Sequence, residues 1–234
     1  MKKVVIVGAS GHGSVVLDCI LRENQYSVVG YIDSFQKKGR VHNGFSILGT
    51  EYDLPYLMEK FDIHGGIVAI GDNWIRKQVV DRIVKIAPDF EFVSAVHPNA
   101  TVGANVQIGK GTVIMPGVIV NSNSTIGDYC ILNTNSSLDH DGFMDDYSSL
   151  APRVCVGGVF SLGKYSAVCL GTNVIENVSI GNHTVIGAGS LVINDFGDQV
   201  VVYESPARVI RKRVIGEEYL NKNKPLKVIS YKAK

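Results

Sequence analysis

Residues 96–150 read VHPNATVGANVQIGKGTVIMPGVIVNSNSTIGDYCILNTNSSLDHDGFMDDYSSL, and every sixth residue of this stretch is aliphatic or Met. The register opens at Val96, Val102, Ile108 and Ile114 and runs on through Met144, Leu162 and Ile180 to Val192, without a miss or an insertion. In a chain that is 45% hydrophobic, a run of this length arises by chance about once in a million trials. A helix has a period of about 3.6 and an amphipathic strand a period of about 2, so neither yields a beat of six. A parallel β-helix does. Three hexapeptides close one triangular coil, the aliphatic residue always points inward, and stacked coils bury a column that no single repeat could bury alone. At a strand spacing of about 4.8 Å, the run forms a prism of five to six coils.

Other positions carry the beat as well. Four residues after it lies a mostly small side chain, as at Ala100, Thr112, Ser124, Cys130 and Ser148, which suits a crowded corner. Glycine follows the beat directly at Gly103, Gly109, Gly127, Gly157, Gly163, Gly181 and Gly187. A tight turn there is expected to need φ values that other residues resist.

Outside the beat the pattern changes. Lys3 to Val7 reads as a buried strand, Gly8 to Gly13 as a glycine loop and Ser14 to Glu23 as a helix. Strands at Val28 to Ile32 and Gly66 to Ile70 and a helix at Trp74 to Lys85 complete a small parallel α/β unit. The expected organisation is a Rossmann-like α/β domain over residues 1–90, a β-helix over 91–202 and a C-terminal cap or tail over 203–234. Within the tail, Glu217 to Asn221 can start a short helix before a Lys-rich end.

With 234 residues and a net charge of +1, the chain offers no electrostatic case for nucleic acid or an anionic membrane. Met1-Lys2-Lys3 leads straight into a strand rather than a secretory core, and no apolar run is long enough to span a bilayer, so a cytoplasmic location is expected. Cys19, Cys130, Cys155 and Cys169 show no C-x-x-C spacing, and they read as reduced packing residues.

Gly8-Ala9-Ser10-Gly11-His12-Gly13 has the spacing G-x-x-G-x-G, which is not the dinucleotide fingerprint, and it lacks the P-loop Lys-Ser/Thr pair. A strand running through glycines into a helix can still gather backbone N–H groups around a phosphate. A tight turn with no ligand has the same sequence. Asp33 closes the second strand, where an acidic residue often meets a ribose or base.

His97, His140 and His183 lie in the repeat at different offsets from the beat, and successive pairs are 43 residues apart. That spacing exceeds two coils, whereas one zinc ion needs its ligands at about 2 Å, so no metal site is expected. His140 stands in Leu138-Asp139-His140-Asp141-Gly142 with a carboxylate on each side. An adjacent acid can hold one imidazole nitrogen and raise the basicity of the other, as a general base requires. A solvated histidine in a polar corner accounts for the local sequence equally well.

The repeat resembles the left-handed β-helix acyltransferases of the hexapeptide-repeat superfamily. The whole chain is similar to the bacterial nucleotide-amino-sugar N-acetyltransferases and their sialic acid O-acetyltransferase relatives. VVIVGASGHG, YIDS, ILGT and AIGDNWIRK carry the resemblance in the first domain, and NTNSSLDHDG, LAPRVCVGG, IGAGSLV and SPARVI in the second. The resemblance implies acetyl-CoA-dependent N-acetylation of a nucleotide-linked amino sugar, a 4-amino-4,6-dideoxy hexose on the route to a surface glycan.

In this reading His140 is the base and Asp141 the acid that increases its basicity. Attack is direct, and backbone N–H groups of nearby coils stabilise the oxyanion. The nucleotide sugar falls on Gly11, His12, Gly13, Asp33, Ser34 and Gly49, with Asn133 added as a sugar contact near His140. Coenzyme A falls on Leu170, Gly171, Gly187 and Ala188, with Pro206, Ala207 and Arg208 as an edge for its nucleotide end. Ser149 stands where relatives often carry a second histidine near the acetyl group. The resemblance also implies a homotrimer with sites between neighbouring prisms. Sugar O-acetylation and a non-catalytic β-helical assembly or binding protein are the competing readings.

Overall fold

The computed structural model describes residues 1–220. Its first domain is one sheet with strand order β3-β4-β2-β1-β5-β6. The elements run β1 (Lys2–Val7), α1 (Gly11–Glu23), β2 (Tyr26–Ile32), β3 (Val41–His42), β4 (Phe45–Gly49), α2 (Leu54–Phe61), β5 (Gly65–Val68), α3 (Asn73–Ile86) and β6 (Glu91–Phe92). All neighbours are parallel except the β3/β4 hairpin. The chain leaves β1 toward β2 on one side and returns to β5 on the other, so the glycine loop after β1 lies at the topological switch point, the usual crevice of open α/β sheets. Helix α2 has no counterpart in the sequence reading. Because β6 still pairs with β5, this domain extends to Phe92, slightly beyond the expected boundary at 90.

Seventeen two-residue strands follow, from β7 (Ala95–Val96) to β23 (Leu191–Val192), each ending on the beat. Strands eighteen residues apart pair in parallel, as Val113 with Ile131 and Ile114 with Leu132, and they make the three faces of a left-handed prism. The first face starts at β7, the second at β8 (Thr101–Val102) and the third at β9 (Gln107–Ile108). Every beat residue from Ile114 to Val192 is buried. Val102 is 40% exposed because it belongs to the terminal coil. Helix α1 covers the first face of that coil, with the Cys19 thiol donating to the Ile114 carbonyl at 3.5 Å.

The small residues four after the beat fill the corners and bond across coils: the Thr112 hydroxyl donates to Gly127 O at 2.9 Å and that of Ser166 to Gly181 O at 2.6 Å. The expectation for the glycines is corrected. None of those directly after the beat has positive φ. They are glycines because the next coil lies against them: a Cβ at Gly109 would stand 2.4 Å from the Gly127 carbonyl carbon, and one at Gly157 2.6 Å from Glu176 N. The left-handed position falls three residues after the beat, at Gly111, Gly117, Gly171 and Gly189 but also at Tyr129, Asp141, Tyr147 and Tyr165.

β24 (Val200–Tyr203) extends the first face and β25 (Arg208–Lys212) turns back antiparallel to it. Residues 217–220 form no helix; residue 221 and the Lys-rich end lie outside the described residues.

Candidate active site

His140 and Asp141 occupy the corner between β14 (Ser137–Leu138) and β15 (Phe143–Met144), on the edge where the second and third faces meet. Asp141 takes the left-handed conformation with φ 55°, and its Oδ2 lies 2.8 Å from His140 Nδ1. Asp139 fastens the other side of the corner, accepting from the His140 backbone N–H at 2.8 Å and from Asn121 Nδ2 at 2.5 Å. The hydrogen bond to Asp141, joined by the charges of Asp139 and Asp141, raises the His140 pKa above the ordinary 6.5. Nδ1–H donating to the carboxylate fixes the tautomer and leaves the Nε2 lone pair free, the arrangement of a general base.

In the first domain, Gly8 has φ 112°, and a Cβ at Gly13 would meet the Gly8 carbonyl oxygen at 2.1 Å, so the loop closes only without side chains at these positions. Asp33 is largely committed to the backbone. Oδ2 accepts from Ala9 N–H at 2.7 Å, and Oδ1 accepts from Phe35 and Gln36 N–H at 2.8 and 3.1 Å. It shapes the crevice by tying the glycine loop to the turn after β2. The Ser34 hydroxyl donates to buried Glu51, which also receives Arg82 at 3.1 Å, and the Gly49 carbonyl accepts from Asp33 N–H. His12 Nε2 is buried without a hydrogen-bond partner among the described residues. Burial first, and the positive charge of Arg76 second, push its pKa down to about 4, so the ring stays neutral.

The residues assigned to coenzyme A cluster on the edge between the first and second faces. Leu170 and Gly171 line one open hollow with Pro152, Arg153 and Asn173. Gly187 and Ala188 line the next with Gly189, Tyr203, Glu204 and Ser205. Ala207 is buried, its N–H donating to Leu191 O at 2.8 Å, while Arg208 begins exposed β25. Asn133 shares this edge, its Oδ1 accepting from Thr134 N–H at 2.8 Å, and so within one chain it is not at the His140 corner.

Ser149 lies elsewhere. It sits on the first face, 7% exposed, where its hydroxyl accepts from Asn73 Nδ2 at 3.1 Å and meets the Tyr219 hydroxyl at 3.2 Å. Within one chain it is part of the seam between the domains and does not approach His140.

That seam runs along the third edge. Arg76 is fully buried and pairs with no carboxylate among the described residues. Instead it donates to Ile70 and Gly71 carbonyls of its own domain and to Tyr129 and Tyr147 carbonyls of the prism. Tyr129, Tyr147, Tyr165 and His183 stack one coil above another with ring centroids 4.8, 5.6 and 4.6 Å apart. Trp74 packs edge-on against Tyr165 at 5.2 Å. His97, by contrast, is buried at the base of the prism, accepting from Asn99 N–H.

Residues 3–83 match the PglD N-terminal domain family and residues 105–140 the bacterial transferase hexapeptide (six repeats) family. GDP-perosamine N-acetyltransferase of Escherichia coli O157:H7 is 31% identical over 193 residues, 79% of this chain and 77% of that protein. The chain belongs to the nucleotide-amino-sugar N-acetyltransferases. PerB from Caulobacter crescentus, solved with CoA and GDP-perosamine, superposes with a TM-score of 0.83 at 33% identity, covering 90% of this chain and 98% of that one. The acetyltransferase domain of PglB from Neisseria gonorrhoeae, solved with acetyl coenzyme A, gives 0.81 at 28% identity, covering 89% and 99%.

In this N-acetyltransferase, the α/β domain docks along one edge of the prism, His140 stands on a second, and the residues assigned to coenzyme A line the third. The Arg76 seam and the aromatic stack escaped the sequence reading, although Tyr129, Tyr147, Tyr165 and His183 repeat at intervals of 18 residues, one coil, in plain view.

Proposed function

We propose that this acetyl-CoA-dependent enzyme acetylates the amine of a nucleotide-linked 4-amino-4,6-dideoxy hexose for a surface glycan, with His140 as general base. The observation that carries the mechanism is the Asp141-held imidazole on an exposed corner of the prism. His140 Nε2 takes a proton from the sugar amine as the nitrogen attacks the thioester carbonyl, forming the C–N bond and an oxyanion that backbone N–H groups stabilise. Collapse of the tetrahedral intermediate breaks the C–S bond, and the imidazolium returns its proton to the departing thiolate.

Three of the four cysteines are unsuited to carry an acyl group. Burial pushes the thiol of Cys19 up to about 12 and those of Cys130 and Cys169 to about 11, which leaves them protonated.

The three-edge arrangement favours a homotrimer in which a prism edge with His140 meets the coenzyme edge and glycine crevice of neighbouring copies. Asn133 would then act toward a neighbour's site, whereas Ser149 stays committed to the domain seam of its own chain. Among the described residues, no helix is long and apolar enough to cross a membrane. We place the enzyme in the cytoplasm, beside its acetyl-CoA supply.

The test is coenzyme A release from acetyl-CoA with a panel of GDP-, UDP- and dTDP-linked amino sugars, against His140→Ala. Turnover with one or more of them, lowered by roughly two to four orders of magnitude in the variant, is expected. Unchanged release in His140→Ala would sink the base assignment, and turnover only with hydroxyl acceptors would replace N- by O-acetylation.

A further inference from the structure

The corner position two residues after the beat occurs in every hexapeptide from Pro98 to Asn194, and glycine occupies it once, at Gly158. Lys110, Asp128, Asp146, Lys164 and Asn182 fill it along one edge, so the coil geometry accepts long side chains there. Gly158 is not in the left-handed region, and its backbone makes no demand for glycine.

What stands over Gly158 is the His140 ring. One coil is 18 residues, which places residue 158 directly beside residue 140 in the stack, and the Val159 N–H donates to the His140 carbonyl at 2.9 Å. A Cβ built on Gly158 would lie 2.5 Å from both Cε1 and Nε2 of His140 and 3.1 Å from Cδ2. The imidazole thus occupies the volume that a side chain takes at this position in the other coils. The His140 side chain is 58% exposed, and its ring hydrogen-bonds, among the described residues, to Asp141 alone. One hydrogen bond sets the ring's rotation about Nδ1, and one flat patch of backbone supports its Nε2 side.

We propose that Gly158 is a positioning residue for the acetyl transfer: its missing side chain is the seat that lets the His140 ring keep its bond to Asp141 while presenting Nε2. The proposal rests on the His140 assignment above. A methyl group at this position meets the far end of a two-torsion side chain rather than backbone. The ring would therefore swing away and leave the coil intact, and swinging it breaks the 2.8 Å contact with Asp141.

The experiment compares Gly158→Ala, His140→Ala and the double variant with the wild-type enzyme. It reads kcat, KM for acetyl-CoA, melting temperature and the His140 titration by NMR of histidine-labelled protein. Gly158→Ala is expected to lower kcat roughly 100-fold or more, with KM changed less than about threefold and the melting point within about 2 °C. The His140 pKa should fall from its raised value toward 6.5 as Asp141 loses contact. In the His140→Ala background the same change should be neutral for stability, because the methyl then enters empty space.

An unaltered His140 titration in Gly158→Ala overturns the seat whatever the rate does. Equal destabilisation in both backgrounds overturns it too, showing that the glycine serves the coil. If His140→Ala keeps full activity, the base assignment fails, while the titration and the double variant still decide whether Gly158 seats the ring.

Discussion

Arg76→Met tests whether the seam holds the two domains as one body. The guanidinium is 1% exposed and makes five hydrogen bonds: Nε to Tyr129 O at 2.8 Å, Nη1 to Ile70 O and Gly71 O at 2.8 and 3.2 Å, and Nη2 to Asn73 Oδ1 and Tyr147 O at 2.6 and 3.3 Å. Met keeps most of the stem's volume and supplies no donor, leaving the Ile70, Tyr129 and Tyr147 carbonyls and the Asn73 amide oxygen unmet in a dry junction, while the Gly71 carbonyl keeps the Tyr219 hydroxyl at 3.1 Å. Hydrogen bonds to a charged group contribute about 1.5–3 kcal/mol each. Against that stands the desolvation cost of a buried cation with no carboxylate partner among the described residues, which the substitution relieves.

Each unmet buried acceptor costs about 1–3 kcal/mol, and with the relieved desolvation offsetting part of that sum the net loss is about 3–5 kcal/mol. For a chain of this size, at about 2–4 °C per kcal/mol, it is a drop of roughly 6–20 °C. The chain has one tryptophan, Trp74, and it packs in this seam, so its fluorescence reports docking while far-UV circular dichroism reports the elements themselves. The fluorescence transition should come first and separate from the dichroism transition. Coincident transitions with a midpoint within about 2 °C of wild type would refute the idea that Arg76 clamps the domains.

Two further outcomes follow from the geometry. A general base is active when neutral, so kcat/KM falls as pH drops through the His140 pKa, which Asp141 holds above 6.5. Asp141→Asn should therefore move the acid limb to lower pH and lower the plateau by roughly 10–100-fold; a limb that stays put or moves up contradicts the pairing. In the glycine loop, Gly13→Ala puts a methyl against the Gly8 carbonyl oxygen and should destabilise by about 1–3 kcal/mol with loss of the thermal shift given by nucleotide sugars. A Cβ at Gly11 meets nothing within 4 Å, so Gly11→Ala should leave the melting point unchanged, and equal effects at both positions would show that steric closure is not what glycine provides here.

The legible part of this protein was the part that repeats. Burial of one aliphatic residue per hexapeptide is enforced in every coil, so Val96 to Val192 announced the prism, its faces and its length. The glycines after the beat were visible, but their cause was not. Sequence spacing cannot distinguish a residue that needs positive φ from one that lacks room, and these lack room. Positive φ is borne instead by residues such as Tyr129, Tyr147 and Tyr165. The strain of about 1–2 kcal/mol at each is offset by ring stacking and by packing against α3.

Ser149 shows the other kind of gap. A hydroxyl nine residues after His140 looks like an active-site neighbour, yet an offset of one and a half hexapeptides carries it from the edge between the second and third faces to the first face, into the grip of Asn73 and Tyr219.

The chain's periodicity and its local motifs were enough to establish the coil, the glycine loop and the acid-flanked histidine, because each depends on residues a few positions apart. Which of these features meet, and which are kept apart on separate edges, depends on contacts between residues dozens of positions distant, such as Arg76 with Tyr129 or Asn73 with Ser149. Those contacts arise only when the coils close and the α/β domain docks. The seat of His140 on Gly158 belongs to the same class: nothing near either residue in the chain requires it, and the stacking of one coil on the next creates it.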